Sequence, residues 1–161
     1  MNCFDIHTHH IPLHPEQAIL ACSIKDMPLP ETGIISVGIH PWHLTEKNAD
    51  EQLHWLEKMV KQPEVVAIGE CGMDKLRSIS MDKQIKIFRE CIMLSEETSL
   101  PVIIHAVKCT EELIRIKKDM KPQMSWIIHG FRGKASVAKS LLDQGIYLSF
   151  GEHYQKDSLR Y

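Results

Sequence analysis

Residues 65–70, VVAIGE, run from four apolar residues through a glycine to a carboxylate. A short, β-branched apolar run of this kind reads as a strand buried on both faces. The charged residue at its end makes the carboxyl edge of that strand the place where chemistry is exposed. The pattern recurs along the chain. PVIIH at 101–105 and SWIIH at 125–129 both close on a histidine, and CFDIH at 3–7 reaches His7 in the same way. IISVGIH at 34–40 and IYLSF at 146–150 complete six strand-like segments.

Between these segments the apolar period turns helical. Within 81–97, Ile85, Phe88 and Ile92 share one face, and Ser80 stands where an N-cap belongs. Within 134–144, Val137, Ala138, Leu141 and Leu142 do the same, with Gly145 as the stop. Residues 49–61 and 111–120 also read as helices, the second capped by Thr110 with Glu111 and Glu112 in its first turn. The proline-interrupted region 11–33 reads as loop with at most a short helix. Strands alternating with helices imply parallel βα units.

Two architectures meet that description: an open doubly wound sheet and part of a (β/α)₈ barrel. A closed barrel gathers its strand ends at one mouth, whereas an open sheet spreads them along a line. Ligand-type residues stand at four of the strand ends, His7, Glu70, His105 and His129. That favours the barrel.

Composition narrows the remaining classes. The chain has 161 residues, enough for one domain, and a net charge of −2, which excludes a polycation built to coat nucleic acid. Five cysteines form no CxxC pair and suit reduced thiols in a cytoplasmic protein. No apolar run approaches the length of a membrane span. Ten histidines are the unusual number.

His7 and His9, two apart on a strand, project to the same side and form a natural metal-ligand pair. Glu70, His105 and His129 at neighbouring strand ends would complete the site. A single histidine at such a position is more often a structural hydrogen-bonding residue; the joint placement is what points to metal. His10 and His14 read as loop residues, His54 as a solvated helix residue, and Cys71 as a buried, inert thiol. Asp5 has two readings, one orienting an imidazole and one capping local backbone.

Five motifs extend over residues 5 to 133: DIHTH with Asp5, His7 and His9; GIHP with His40; GECGMD with Glu70 and Asp74; PVIIH with His105; and WIIHGFRG with His129. Together they resemble the TatD family of metal-dependent hydrolases, with Met73 in place of the family's leucine. The DxHxH element alone is shared with the PHP phosphoesterases, the alternative family, but GECGMD and GIHP fit TatD better. The resemblance implies an α/β TIM barrel in a single domain over residues 1–161, with about six of eight βα units present and the C-terminus incomplete. Such barrels usually take about 250 residues.

The resemblance also implies two divalent ions (Zn, Mg or Mn). One would lie on His7, His9, Glu70 and an aspartate from a later strand, for which Asp157 in the polar tail is a poor substitute. The other would lie on Glu70, His105 and His129, with Glu70 bridging as the catalytic residue. His40, Asp74 and Arg132 would face the substrate, with Lys134 near Arg132. The implied activity is hydrolysis of phosphodiester bonds in nucleic acid, as in a TatD-like deoxyribonuclease; the alternative is a metal-holding remnant without activity. Lys117, Lys118 and Lys121 fit an outer helix face. Six strands without closure would leave the first and last as open edges, so self-association is expected there.

Overall fold

The computed structural model describes residues 4–30 and 33–160. Cys3, at the start of the first expected strand, lies outside them. Seven strands run parallel in the order of the sequence: β1 (Asp5–Thr8), β2 (Ala18–Cys22), β3 (Ile34–Val37), β4 (Val65–Asp74), β5 (Val102–Val107), β6 (Trp126–Ile128) and β7 (Ile146–Leu148). The sheet curls into a half-barrel, with helices α1 (Ala49–Met59), α2 (Met81–Thr98), α3 (Thr110–Met120) and α4 (Ala135–Leu142) in the crossovers from β3 to β7. The expected α/β barrel architecture is therefore present.

The strand count differs from the expected six. The extra strand, β2, lies in the region read as loop, and among the described residues no α-helix separates it from β1 or β3. Its sequence, AILAC, has one β-branched residue and no turn signal that isolates it. It is a strand because it fills the gap between β1 and β3, pairing Asp5 with Ala18 and Cys22 with Val37. β3 ends at Val37, so His40 sits beyond it, opening a single helical turn at Pro41–His43.

The helices match the sequence closely. Ser80 caps α2 by accepting the Lys83 N–H at 3.3 Å. α2 turns Phe88, Cys91 and Ile92 inward, leaving Ile85 half-buried at the rim. Phe88 meets Trp126 of β6 edge-on, ring centroids 5.3 Å apart. Leu113 and Ile116 of α3 and Leu141 of α4 complete the layer beneath the sheet. Thr110 is not the cap of α3: it is the first helical residue, and Cys109 holds the cap position without a side-chain bond to the helix, its thiol donating instead to the Met73 carbonyl. Gly145 takes a left-handed φ of 69° just past α4, its N–H bonded to the Leu142 carbonyl at 2.8 Å.

Two glycines decide how β4 delivers its carboxylate. Gly69 has φ 152° and Gly72 has φ 142°, conformations that side chains resist. A Cβ at Gly69 would lie 2.5 Å from the Ile103 carbonyl oxygen, and one at Gly72 would collide with the His105 carbonyl. Glu70 thus stands on a strand pressed directly against β5.

Candidate metal centre

β1 presents His7 inward, 4% exposed, and His9 follows just past its end. Asp5 Oδ1 accepts the His7 backbone N–H at 3.0 Å, so its observed bond caps local backbone rather than orienting an imidazole. Across the mouth, Glu70 Oε2 lies 2.9 Å from His7 Nε2, 3.5 Å from His9 Nε2 and 3.6 Å from His40 Nε2. Its Oε1 is 2.9 Å from His105 Nδ1. Burial alone pushes the Glu70 carboxyl up, but bonds to His105, His40, His7 and His9 outweigh it. The group is held well below the usual carboxylate range.

The structure brings His7, His9, Glu70 and His105 together, and adds His40. Among the described residues, ligand atoms of His7, His9 and Glu70 lie within 4.8 Å of one another, as do those of His40, Glu70 and His105. His129 stands apart from both triplets: its ring packs on His7 with centroids 4.1 Å apart. Its Nδ1 is buried without a hydrogen-bond partner, as is Nδ1 of His7. Burial, then repulsion from His7, lowers the His129 pKa to about 4, which leaves the ring neutral at pH 7. Arg132 is exposed after β6, and no hydrogen bond or ion pair among the described residues joins it to this cluster. His10, His14 and His54 are exposed, and Cys71 is a buried free thiol.

The donor chemistry suits a divalent cation. Nε2 of His7 and Nε2 of His9 are 3.1 Å apart, both facing one carboxylate oxygen. Donors around a tetrahedral zinc-sized ion stand about 3.3 Å from each other. Three electron-rich atoms at such spacing need protons or a cation between them. His40 is different. Its Nδ1 accepts the Trp42 backbone N–H at 3.0 Å, so the proton of the neutral ring sits on Nε2. That nitrogen is a donor to the mouth, and as a metal ligand it would have to give up its proton.

Asp74 lies under the mouth, 2% exposed. Its carboxylate accepts the Trp42 indole N–H at 2.7 Å and the Leu76 N–H at 2.8 Å, and lies 3.4 Å from His105 Nε2. Burial raises its pKa, but these three partners pull it below the ordinary value. Gln84, fully buried on α2, accepts the Asp74 N–H and donates to the Asp74 and Ile79 carbonyls. Trp42 and Gln84 were not legible as site residues. The available signals were weak: a large aromatic directly after His-Pro, and an amide on the buried face of α2.

Comparison with known proteins matches the chain to one family. The sequence model of the TatD related DNase family matches residues 4–159. An uncharacterized metal-dependent hydrolase of Bacillus subtilis, YabD, is 36% identical over 118 residues, 72% of this chain and 46% of that protein. The 3'-5' ssDNA/RNA exonuclease TatD of Erwinia amylovora is 35% identical over 113 residues, 69% of this chain and 43% of that protein. The chain thus spans somewhat under half the length of these relatives. The crystal structure of YJJV, a TatD homolog from Escherichia coli, superposes with a TM-score of 0.73 at 20% identity, covering 92% of this chain and 68% of that one. A TatD family hydrolase from Entamoeba histolytica gives a TM-score of 0.64 at 23% identity, covering 83% and 50%. Both structures share the fold. The PHP alternative is set aside, and the chain belongs to the TatD related DNase family.

Proposed function

We propose that the chain is a metal-dependent hydrolase acting on phosphodiester bonds of single-stranded nucleic acid. The observation that carries the reading is Glu70, one buried carboxylate with four imidazoles of β1, β5 and the His40 turn around it. The relatives named as ssDNA/RNA exonucleases support the choice of substrate. His7, His9 and Glu70 would hold one divalent ion; Glu70 and His105 would hold a second, with Glu70 shared, and His129, which packs on His7, would turn toward it to complete the set. The neutral state of His129 suits a ligand nitrogen. A bound divalent cation supplies Lewis acidity, polarising a phosphoryl oxygen and acidifying water.

The chain's own residues do the rest. Glu70 stays ionised and offers both oxygens to the site. His40 keeps a proton on Nε2 and donates it as a hydrogen bond to a substrate oxygen. Asp74 accepts from Trp42 and lies next to His105, fixing both rings. Arg132, exposed on the rim, is free to meet a flanking phosphate. Four buried free thiols among the described cysteines support a reducing compartment such as the cytoplasm, and no described helix is long and apolar enough to cross a membrane.

The test is hydrolysis of a 5'-labelled single-stranded oligonucleotide with Zn, Mg or Mn added. Activity should vanish with chelator and drop at least about 10²-fold in Glu70→Gln. Turnover that survives both would place the chemistry elsewhere.

A further inference from the structure

The molecule spends a large aromatic surface at the mouth of this site. Trp42 is 55% exposed, although Trp55 and Trp126 are buried. Its exposure is not looseness. The indole N–H is tied to buried Asp74 at 2.7 Å, and the backbone N–H is tied to His40. Arg77, from the loop after β4, lays its guanidinium 3.9 Å from the ring centroid. Its Nε is 3.9 Å from the same Asp74 carboxylate, and its side chain is 40% exposed. The indole lies 5.3 Å from the His40 ring and 5.8 Å from the His105 ring, centroid to centroid. A tryptophan serving the core would be inserted in it. This one is oriented by a buried carboxylate, carries a cation on its ring and borders the carboxylate–imidazole cluster.

We infer that Trp42 and Arg77 form a stacking platform that takes the base of the nucleotide next to the scissile bond. The inference rests on the nuclease reading above. A rigid indole offers its ring to any base without reading its edge, and a guanidinium stacked on it extends the platform while meeting the adjoining phosphate. The platform lies beside His40 and His105, about the reach of a sugar from the site that would act on the phosphate. It selects single strands, because a base inside a duplex has no free face to offer.

Two measurements test it, one independent of turnover. In chelator, with no hydrolysis, short oligothymidylate should quench the fluorescence of the exposed indole and protect it from acrylamide. An abasic oligomer of equal length should do neither. In Trp42→Phe, the emission left from buried Trp55 and Trp126 should not respond. Equal quenching by the abasic oligomer would overturn the platform in favour of phosphate contact alone, and so would no quenching by either. With metal, Trp42→Ala and Arg77→Ala should each raise KM for oligothymidylate more than KM for methyl p-nitrophenyl phosphate, which has no base. The expected excess for Trp42→Ala is roughly tenfold, equivalent to about 1.4 kcal/mol, and Trp42→Phe should recover part of it. Equal effects on both substrates would also overturn it. Failure of wild type to hydrolyse either substrate would instead sink the nuclease reading, and the quenching would still decide the platform.

Discussion

Nε2 of His7 and Nε2 of His9 stand 3.1 Å apart, both turned to Oε2 of Glu70. Two neutral imidazole nitrogens at that distance either share a proton or share a cation. The bond to Glu70 raises the His9 pKa, with burial opposing it, so the carboxylate favours a proton on that ring.

A divalent ion should therefore displace protons from this pair and stabilise the fold. Zinc at 100 times its Kd adds about 2.7 kcal/mol if it binds only the folded chain. Thermal unfolding should shift upward with zinc, and calorimetry in two buffers should register proton release. His9 is exposed enough to be removed without opening the core, so His9→Ala should fold yet lose most of the shift. An unchanged zinc response in His9→Ala would remove it from the ligand set.

Gln84 should matter to the site without touching it. It satisfies the Asp74 N–H and two carbonyls inside the protein. Gln84→Ala removes the side-chain partner of the Asp74 N–H and the Ile79 carbonyl, while the Asp74 carbonyl keeps the Arg77 N–H at 3.3 Å; the cost is about 1–3 kcal/mol for each group left buried and unpaired. Urea unfolding should show a loss in that range. Asp74 should also shift, so activity should fall with no residue of the cluster altered. Gln84→Glu, which keeps an acceptor for the Asp74 N–H, should restore less than half. Wild-type stability in Gln84→Ala would show that water replaces the amide.

Much of this arrangement was legible in the sequence, for a simple reason. Parallel strands put their ends at one edge, so VVAIGE and PVIIH declare both a strand and the residue it delivers. β2 was not legible, because Ala18–Cys22 owes its conformation to β1 and β3 on either side. Trp42 was not legible either: its meaning depends on Asp74, 32 residues away, and on Arg77 above it. His129 was found as a strand-end histidine, but its packing against the His7 ring follows from the curl of the sheet, which no local pattern encodes.

The sheet of described residues has β1 and β7 paired on one side only. Past the end of β1, in the connection to β2, Ile11 is 82% and Leu13 96% exposed; on β7, Tyr147 is 59% exposed. Open edges flanked by apolar side chains recruit other strands. The 161-residue polypeptide is expected to associate with rising concentration, as light scattering after size exclusion would detect. Tyr147→Lys, a charge on the edge, should shift it toward monomer. A monomer at all concentrations would show that these edges are already protected.

Acid should weaken the metal-free protein before most carboxylates titrate. Burial holds the His129 pKa down to about 4, against 6.5 for the ordinary side chain, and lowers those of His40 and His43 as well. Between pH 4 and 6.5 the unfolded chain binds a proton at His129 that the folded chain refuses, and His40 and His43 act in the same direction. The unfolded state therefore gains protons as pH falls, and stability drops with it, by up to about 1.4 kcal/mol per pH unit for each such ring. Glu70, whose pKa is depressed, acts in the same direction at more acid pH, its contribution present above the unfolded value and lost as pH falls through the folded one. His9 has the opposite sign and a different window: its raised pKa contributes stability below 6.5 that is lost as pH climbs past its folded value. Urea unfolding in chelator across pH 4.5–6.5 should thus show stability rising with pH. His129→Asn, which cannot titrate, should flatten that slope by close to one proton. If the slope is the same in the variant, the ring is protonated in the folded protein, and its buried Nδ1 must have found a partner.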